Sequence, residues 1–600
     1  MSAQEERIVE YRINQKDRAG ELRDHYEPRW IKNMELYRNT RRTPSYSMQS
    51  WNSRSQIPDA FRVVETMLPQ HVLGMFRNPN WFSVEAPTVP GATYQAMVRQ
   101  LLLQGWRKAD GFRKTVDGMK MGTILGHFIP KTTWKQEIGE IVIQDLDTGF
   151  APDGEPMGAR YIERTLPTVT HNGPAIEFPD LFNIWQDPTG AGGFWIERIP
   201  TSLSKLEVTN KKFSGNLYKN LGKVKANLEL NPVPFASNRR GSGGSSDQLL
   251  SEVVDGIPEQ FDDDSVELWQ CWGWVDPKIA TYPDTQNRMQ VIANGEILIR
   301  DEPAPTHNHL GPYDNVPSVP IPGQIYGDSV LSYVGDLIEA RSDIENMRMD
   351  EVKLNIYPTH WIDGRLQIRG QDMIKTPGGA IRLTPPTQDL NISQMFGTIP
   401  RNPVLQEAYM ESSTKEHQID QATGAFKTFQ GQASGGRTSA FEVSQMMDMG
   451  SARFRLATML MDEGFKKPVL ERMFKLYQSK LTQPELVSLA GAEDIRGEID
   501  FTDLRYDVDI HVDSGLYGSM DQGQAQSIVQ LYSTLLSNPQ AAAYVDIGKF
   551  AQALNYRMGL TGAGDDFIRS EEEARAIFQQ QQQQEAALAA QSGAGSGAPR

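Results

Sequence analysis

The chain has 600 residues, of which 39% are hydrophobic and 23% are charged, and its formal net charge is −16. A folded chain of this length divides into several domains, and the composition is too apolar for wholesale disorder. The acidic balance argues against a tight binder of nucleic acid, because such proteins normally present a basic face to the phosphates. It does not exclude a protein past which DNA slides, since strong phosphate contacts would act as a brake.

The sequence predicts a protein that is made and kept in the cytosol, or in something assembled there. Its single cysteine, Cys271, excludes an intrachain disulfide and fits a reducing compartment. No apolar run approaches the roughly 20 residues that a membrane-spanning helix needs. The first 23 residues are densely charged and lack the apolar centre of a secretory signal.

The N-terminal part of the chain is predicted to be helical. Leu22, Tyr26, Trp30, Met34 and Tyr37 recur at steps of three or four residues, which places them on one face of a helix. The helices predicted here are residues 1 to about 40 with an interruption near Pro28, Ile57–Phe76 with a kink at Pro69, Tyr94–Lys108, and Phe112–Met121.

From about residue 123 the pattern changes to strands and turns. Asn294-Gly295 separates two β-type runs and is a strong signal for a two-residue hairpin. The strands predicted here are His127–Ile129, Gly139–Ile143, Val266–Trp272, Met289–Ala293 and Ile297–Ile299.

Two long helices that flank a compact insert are predicted next. Asp328–Asn355 carries apolar residues at helical spacing and, at about 1.5 Å per residue, would be about 40 Å long. Residues 356–400 return to short strands and turns, and Val404–Gln421 is the second helix. A third long helix, Ala440–Ser479, is expected to kink at Pro468. The remainder is predicted as a strand at Ile499–Val512, helices at Gln524–Ser537 and Glu571–Gln591, and a disordered tail at 592–600.

The best enzymatic signal is the glycine-rich stretch Gly431–Thr438. It matches the phosphate-binding P-loop at both glycines and at the final hydroxyl residue, but Arg437 stands where that loop needs lysine. A helix is predicted before it, whereas a P-loop connects a strand to a helix. A flexible loop between two helices is therefore the better interpretation, and a nucleotide-dependent enzyme is the alternative.

Metal and nucleophile signals are weaker still. His307 and His309 could offer two imidazoles to a metal, but no nearby cysteine or third histidine completes a ligand set. Asp262–Asp264 could hold a divalent cation, although an exposed acidic turn before a strand is commoner. Cys271 stands among tryptophans and is interpreted as a core residue. We therefore expect no enzyme activity, no catalytic residue, no metal site and no cofactor.

Short motifs follow one another in a fixed order over most of residues 28–480. They are Arg29-Trp30, Asn33–Tyr37, Ser55–Pro58, Val64–Pro69, Phe76–Pro79, Gly122-Thr123, Lys131–Trp134, Pro179–Asn183, Asp187-Pro188, Tyr326–Ser329, Asn355–Pro358, Ala422–Gly424 and Gly436–Glu442. In this order and spacing they resemble the portal proteins of tailed double-stranded DNA phages, especially those of short-tailed phages. The last two motifs are the most telling.

The resemblance implies a mixed α+β portal fold in a dodecameric ring around a central channel. The implied parts are a helical and β-rich wing, two stem helices that flank a small α/β clip, a long helix behind a tunnel loop, and a mainly helical C-terminal crown. The corresponding ranges are wing 1–326, first stem helix 327–355, clip 356–400, second stem helix 401–424, tunnel loop 425–439, long wing helix 440–480, wing return and crown 481–566, and Gln-rich helix with disordered tail 567–600.

The same resemblance implies a channel at one capsid vertex through which DNA is packaged, retained and ejected. The implied partners are further copies of the chain, double-stranded DNA, the terminase large subunit, a head-to-tail adaptor, and the major capsid and scaffolding proteins, with no membrane. The implied location is the virion, and the host cytoplasm during assembly. The implied site residues are Lys427, Gln430, Arg437 and Thr438 on the DNA-facing tunnel loop, and Arg365, Arg369, Lys375 and Arg382 on the clip surface.

Two points stay open at the level of sequence. Lys427 and Arg437 are the only charged residues of the tunnel loop, so they either touch DNA phosphates weakly or pair with neighbouring subunits. The main alternative to a portal is another oligomeric structural protein of the virion, from a tail or a baseplate.

Overall fold

The computed structural model divides the chain into two compact units. Unit 1 comprises Met1–Trp30, Met67–Ser329 and Ser451–Arg600, and unit 2 comprises Ile31–Thr66 and Val330–Gly450. Within these units the structure describes residues 2–40, 52–76, 81–86, 92–147, 160–190, 193–212, 217–230, 264–304, 311–356, 360–362, 396–398, 405–424, 456–481, 485–488, 496–499 and 503–512.

The first two helices, α1 (Ala3–Arg23) and α2 (Glu27–Tyr37), confirm the predicted helix with its interruption near Pro28. A capping box starts α1: the backbone N–H of Glu5 donates to Ser2 Oγ at 3.2 Å, and that of Ser2 donates to Glu5 Oε2 at 2.7 Å. Pro28 is the second residue of α2, where its missing N–H removes no intrahelical hydrogen bond.

A five-stranded antiparallel sheet, with its strands in chain order, forms one core of unit 1. Its strands are β5 (Ile184–Gln186), β6 (Phe194–Ser202), β7 (Ser265–Trp274), β8 (Asn287–Ala293) and β9 (Ile297–Pro303). A hairpin forms where it was predicted, and Asn294 (φ 53°) and Gly295 (φ 70°) have the positive φ values that such turns require. Its connection has three residues and not two, because Glu296 also lies between the paired residues Ala293 and Ile297. Two short helices, α6 (Leu203–Lys212) and α7 (Leu221–Leu230), lie in the chain between β6 and β7.

Helix α1 packs on this sheet with both apolar and cationic side chains. Ile8, Val9 and Ala19 share a buried cluster with sheet residues such as Ile196 and Ile292. Cationic side chains also enter the buried contact, where each finds polar or aromatic partners. Arg12 Nε donates to Gln290 Oε1 at 2.8 Å, Lys16 Nζ lies 4.6 Å from the ring centres of both Trp185 and Trp269, and Arg23 donates to the carbonyl of Ile184 at 3.0 Å.

The second core of unit 1 is mainly helical. It combines the end of α3 (Asp59–Phe76) with α4 (Ala92–Lys108), α5 (Gly111–Leu125) and α10 (Lys467–Lys480). Helices α3, α4 and α5 confirm the sequence predictions, and α3 contains Pro69 in its interior. Antiparallel strand pairs accompany them: β1 (Phe82–Glu85) with β15 (Asp509–Val512), β2 (His127–Phe128) with β10 (Val316–Pro317), β3 (Lys131–Asp147) with β4 (Arg160–Glu177), and β13 (Glu485–Ser488) with β14 (Arg496–Ile499).

Of the predicted long helix Ala440–Ser479, the structure describes residues from 456 onward, and these contain a π-turn just before Pro468. Helical residues 456–461 lead into the turn Asp462–Lys466, in which the N–H of Lys467 donates to the carbonyl of Asp462, five residues back. Pro468 follows as the second residue of α10. Since proline lacks an N–H and its ring crowds the preceding turn, one widened turn accommodates it without ending the helix.

Unit 2 is built around two long helices, α8 (Val330–Ile356) and α9 (Leu405–Thr423). Their bounds agree with the predicted Asp328–Asn355 and Val404–Gln421. Two short strands of the intervening insert, β11 (His360–Ile362) and β12 (Phe396–Thr398), pair in antiparallel register with His360 opposite Thr398. The two ends of the insert therefore meet, as the predicted helix–insert–helix order requires.

One sequence prediction is wrong and one grouping was not anticipated. Ile499–Val512 is not a single strand, because β14 ends at Ile499 and a 3-10 turn, Asp503–Arg505, precedes β15. Ile31–Thr66 groups with α8 and α9 in unit 2, although it lies far from them in sequence. No helix in the described ranges has the length and apolarity of a membrane span.

Candidate functional site

The site residues implied by the sequence lie outside the described residues. This holds for Lys427, Gln430, Arg437 and Thr438 of the tunnel loop, and for Arg365, Arg369, Lys375 and Arg382 of the clip. The helices that flank the clip are described, and α9 is also the helix that precedes the tunnel loop. The candidate site that can be built from coordinates is therefore the helix pair α8–α9 with the parts of Ile31–Thr66 that pack on it.

Helices α8 and α9 run antiparallel. Near the middle of the pair, Arg341 of α8 donates to Glu416 of α9 at 3.0 Å. Further along α8, Ile344, Met347, Arg348 and Glu351 share a groove with the start of α9. Later residues of α8 thus contact earlier residues of α9. The two helices therefore form a helical hairpin that the β11–β12 insert connects.

Arg341 is the centre of a partly buried ionic cluster. Its guanidinium donates to both carboxylate oxygens of Asp59, at 2.6 and 2.7 Å, as well as to Glu416. Arg62, one turn after Asp59 on α3, donates to Asp420 of α9 at 2.8 Å. Two arginines and three carboxylates therefore connect α3, α8 and α9 with directional contacts that an apolar core would not provide.

A polar stripe on α8 holds residues 52–57, which we call the docked segment. Ser342, Asn346 and Asp350 are buried and spaced by four residues, so they lie on one face of the helix. Their side-chain oxygens accept the backbone N–H groups of alternate residues of the segment. The N–H of Ile57 donates to Ser342 Oγ at 3.2 Å, that of Ser55 to Asn346 Oδ1 at 2.9 Å, and that of Ser53 to Asp350 Oδ1 at 2.6 Å.

The two spacings match for a geometric reason. Four helical residues rise about 6 Å, and two extended residues span about 6.6 Å, so every helical turn of α8 meets every second residue of the segment. Asn346 also returns a hydrogen bond from its amide to the carbonyl of Ser55 at 2.9 Å. The stripe therefore binds the segment much as a neighbouring strand would.

Asp350 is ionised within this stripe. Burial alone would raise the pKa of the Asp350 carboxyl, but hydrogen bonds from Ser53 and Asn52 and the nearby Lys353 outweigh burial and lower it. Lys353 Nζ lies 3.1 Å from Asp350 Oδ1 and also donates to Ser53 Oγ at 2.6 Å. The end of the docked segment is thus fixed by charge as well as by backbone hydrogen bonds.

The start of α8 is joined to the end of α2. Lys32 Nζ donates to Asp336 at 2.7 Å, and this hydrogen bond lowers the pKa of the exposed Asp336 carboxyl. The amide of Asn33 donates to Ser332 Oγ at 2.9 Å. A Cβ added at Gly335 would come within 3.1 Å of Leu36, so glycine permits this close approach of the two helices.

On another side of α8, a groove of about 490 Å³ opens between α8 and α9. Its apolar lining is Ile344 and Met347 of α8 with Leu405 and Ala408 of α9, and its charged lining is Arg348, Glu351, Glu407 and Glu411. Met347 is 57% exposed. Large apolar side chains elsewhere on the two helices are also more than half exposed, namely Tyr333, Ile356, Tyr409 and Met410.

The residues that the sequence suggested as metal ligands or as a nucleophile have structural roles, as far as the structure describes them. Asp264 accepts a hydrogen bond from Ser204 Oγ at 2.6 Å, which lowers its pKa and connects it to the start of α6. Cys271 is fully buried, and burial raises the pKa of its thiol to about 12, which confirms its assignment to the core. Asp262, Asp263, His307, His309 and Gly431–Thr438 lie outside the described residues. No group of three or more potential metal-ligating side chains occurs in the part of the chain that the structure describes.

Sequence reasoning missed the polar stripe and the docked segment. Ser342, Asn346 and Asp350 look like ordinary exposed positions of a long helix, because nothing local shows that a distant segment covers them. The available signal was their constant four-residue spacing on one helix face.

Comparison with known proteins identifies the family. The chain matches the family model of the phage SU10 portal protein over residues 194–593, which is two thirds of its length. A comparison with curated proteins finds no match. The matched range contains α8, the insert and α9, the same helix–insert–helix unit that carries the candidate site. The chain belongs to the phage SU10 portal protein family.

Proposed function

We propose that this portal protein assembles into a dodecameric ring at one capsid vertex and lines the channel through which double-stranded DNA is packaged, retained and ejected. In this proposal α8 and α9 are the stem helices, residues 356–400 are the clip, and residues 425–439 are the tunnel loop. Family membership carries the proposal, and the helical hairpin that flanks an insert supports it.

The surface of unit 2 also supports an assembled state. Tyr333 and Met347 on α8 are 61% and 57% exposed, and Tyr409 and Met410 on α9 are 65% and 63% exposed. Apolar side chains exposed together on a helix pair mark surfaces that another molecule covers. In a ring of identical subunits, the neighbouring copies cover them.

The charge distribution fits a channel that does not grip its cargo. Each subunit has a net charge of −16, so an assembled ring is strongly acidic as a whole. Lys427 and Arg437 would place a basic collar within it, and we propose that this collar touches phosphates weakly and without sequence preference. The acidic remainder then limits adhesion of the passing duplex.

The clip is the proposed docking region for other virion components. Arg365, Arg369, Lys375 and Arg382 give residues 356–400 four cationic side chains, which suit acidic surfaces on a terminase large subunit and later on a head-to-tail adaptor. Major capsid and scaffolding proteins are the proposed neighbours of the wing. No catalytic residue or cofactor enters this mechanism.

Electron microscopy of the purified protein tests the assembly. A closed ring with an axial channel is the expected result, and averaged top views count the subunits. Filaments or monomers under conditions where the protein is folded would contradict a portal ring and favour a tail or baseplate component. Isothermal calorimetry with ATP is expected to show no binding, and binding would revive the nucleotide-dependent alternative.

The collar is tested by neutralising Lys427 and Arg437 with glutamine. We expect rings of normal size, together with altered packaging or retention of DNA in an in vitro packaging reaction. Unchanged packaging and retention would remove the collar from the mechanism and leave the ring intact. Lys205→Gln is a matched control, because Lys205 is an exposed lysine on α6 in unit 1.

A further inference from the structure

The groove between α8 and α9 has a chemistry that one side chain fits well. Its lining combines the apolar residues Ile344, Met347, Leu405 and Ala408 with the carboxylates of Glu351, Glu407 and Glu411. An arginine matches both features, because its aliphatic stem covers apolar surface while its guanidinium reaches neighbouring carboxylates. Arg348, the arginine already in the lining, is paired with Glu345 on its own helix.

We propose that the groove of one subunit receives Arg54 of the neighbouring subunit, so that the ring closes through a head-to-tail contact between the docked segment and the α8–α9 groove. This inference rests on the proposed ring. The docked segment contributes Arg54, and the α8–α9 groove contributes its apolar lining and carboxylates.

The two surfaces lie on different sides of α8. Ser342, Asn346 and Asp350 face the docked segment, whereas Ile344, Met347, Arg348 and Glu351 face the groove. At about 100° per residue, the centres of these two sets are separated by roughly 150° around the helix axis. One helix therefore presents the segment on one side and the groove nearly opposite.

This arrangement suits cyclic closure. In a ring each subunit contacts its neighbours through two different patches, one on each side, and the patches must complement one another. A twofold contact would instead require one patch that complements itself. A donor segment and an acceptor groove on nearly opposite sides of α8 meet the first requirement.

Arg54 is placed and available for this role. It is exposed, while the backbone N–H groups of Ser53 and Ser55 on either side of it are bound to Asp350 and Asn346. The stripe thus fixes the backbone that carries Arg54, so little conformational freedom is lost when the side chain binds. Within the described part of the chain no acidic residue pairs with Arg54.

The rim supplies the complementary charge. Glu407 lies exposed in the first turn of α9, and no basic residue in the described ranges pairs with it. Glu411, one turn further, is 52% exposed and 3.4 Å from Lys415 of the same helix. An arginine from another subunit would find at least two accessible carboxylates beside the apolar lining of the groove.

Disulfide trapping is the direct test, and the protein is well suited to it. Cys271 is the single native cysteine and is fully buried with a raised pKa, so it contributes little background reactivity. Assembled Arg54→Cys/Glu407→Cys rings are expected to give, under mild oxidation, a ladder of covalent oligomers on a non-reducing gel. Each single variant alone is expected to remain a monomer on that gel, and an equal mixture of the two is expected to stop at dimers.

The pattern of bands distinguishes the possible arrangements. A dimer from Arg54→Cys alone would indicate a twofold contact and overturn the proposal. An internal disulfide in the double variant, which migrates as a monomer, would show that Arg54 occupies the groove of its own chain. Intact rings in which the double variant does not cross-link would refute this contact and leave the portal ring standing, whereas absence of rings in the wild-type protein would refute the ring itself.

Charge reversal gives an independent readout in solution. Arg54→Glu and Glu407→Arg are each expected to raise the protein concentration needed for half-assembly by about tenfold, and the double reversal is expected to recover most of that loss. Lys205→Glu is the matched control for a reversed surface charge, and Glu407→Gln separates loss of the charge from its reversal. Double reversal that is as defective as the two single changes combined would contradict the pairing.

Discussion

The contact of α1 with its sheet in unit 1 and the long helix α8 of unit 2 differ in the polar side chains that they bury. Where α1 packs on the five-stranded sheet of unit 1, tryptophans and aliphatic residues are buried, and even the cations Arg12, Lys16 and Arg23 are enclosed. In unit 2 the long helix α8 buries Leu331, Val334 and Ile338, but it also buries a serine, an asparagine and an aspartate, while Tyr333 and Met347 remain exposed. The first region buries most of its large apolar side chains, although Trp274 of the sheet is 46% exposed. The second adds directional polar contacts to its apolar ones and leaves several large apolar side chains exposed, which suits a subunit that must hold a defined shape before it assembles.

The difference predicts that a core deletion in unit 1 has the largest effect on stability. Trp185 is almost fully buried and lies against Lys16 and Arg23, so Trp185→Ala removes apolar burial and two cation–π contacts together. We expect a loss of about 3 to 5 kcal/mol in the free energy of unfolding, measured by urea denaturation of the disassembled chain. Trp274→Ala is the control, because Trp274 is 46% exposed on the same sheet and should cost much less.

A change in the ionic cluster of unit 2 should come next in size. Arg341→Met leaves Asp59 and Glu416 without their shared guanidinium, at a site where the arginine side chain is 15% exposed. We expect a loss of about 3 kcal/mol in the free energy of unfolding, because both carboxylates lose their short contacts to this guanidinium, and the remaining contact of Asp59 to Arg62 is longer, at 3.4 Å. Lys415→Met on α9 removes a longer ion pair, at 3.4 Å from a Glu411 side chain that is 52% exposed, and is expected to cost at most about 1 kcal/mol. Equal losses for the two variants would contradict the importance assigned to the cluster.

As the pH is lowered, unit 1 is expected to lose stability at a higher pH than unit 2. Burial lowers the pKa of His127 to about 3 and that of His71 to about 4 in unit 1, so each histidine disfavours folding once the unfolded chain binds protons. This loss begins as the pH falls below about 6.5 and amounts to at most about 1.4 kcal/mol per pH unit for each histidine. In unit 2 the pKa of Asp350 is lowered, so its contribution is present above its ordinary value of 3.8 and is lost only below it. The measurement is hydrogen exchange at pH 7 and pH 5, corrected for the intrinsic exchange rate at each pH. A larger loss of protection in α8 than in α5 between pH 7 and pH 5 would contradict the prediction.

The smallest expected effect is local to the docked segment. Asn346→Ala removes the acceptor of the Ser55 N–H and the donor to its carbonyl, which should cost about 1 to 2 kcal/mol. Cleavage by trypsin after Arg54 is expected to accelerate by about tenfold or more, because the segment leaves the helix more often. Asn355→Ala, an exposed asparagine on the same helix, should leave the cleavage rate unchanged.

The sequence by itself determined the features that depend on neighbouring residues. It predicted α8 and α9 to within two residues at each end, because the periodicity of apolar residues and the prolines of the flanking connector act locally. It also predicted the Asn294-Gly295 hairpin, since the required positive φ values favour these residue types. The order of short motifs was sufficient to indicate the portal family.

Only the tertiary structure decided which distant segments meet. Phe82 of β1 pairs with Val512 of β15, and Ile57 donates to Ser342, across separations that leave no local trace in the sequence. Hydrogen bonds between distant residues are selected by the geometry of the whole fold, so a stripe such as Ser342, Asn346 and Asp350 reads as an exposed surface until the docked segment is seen to cover it.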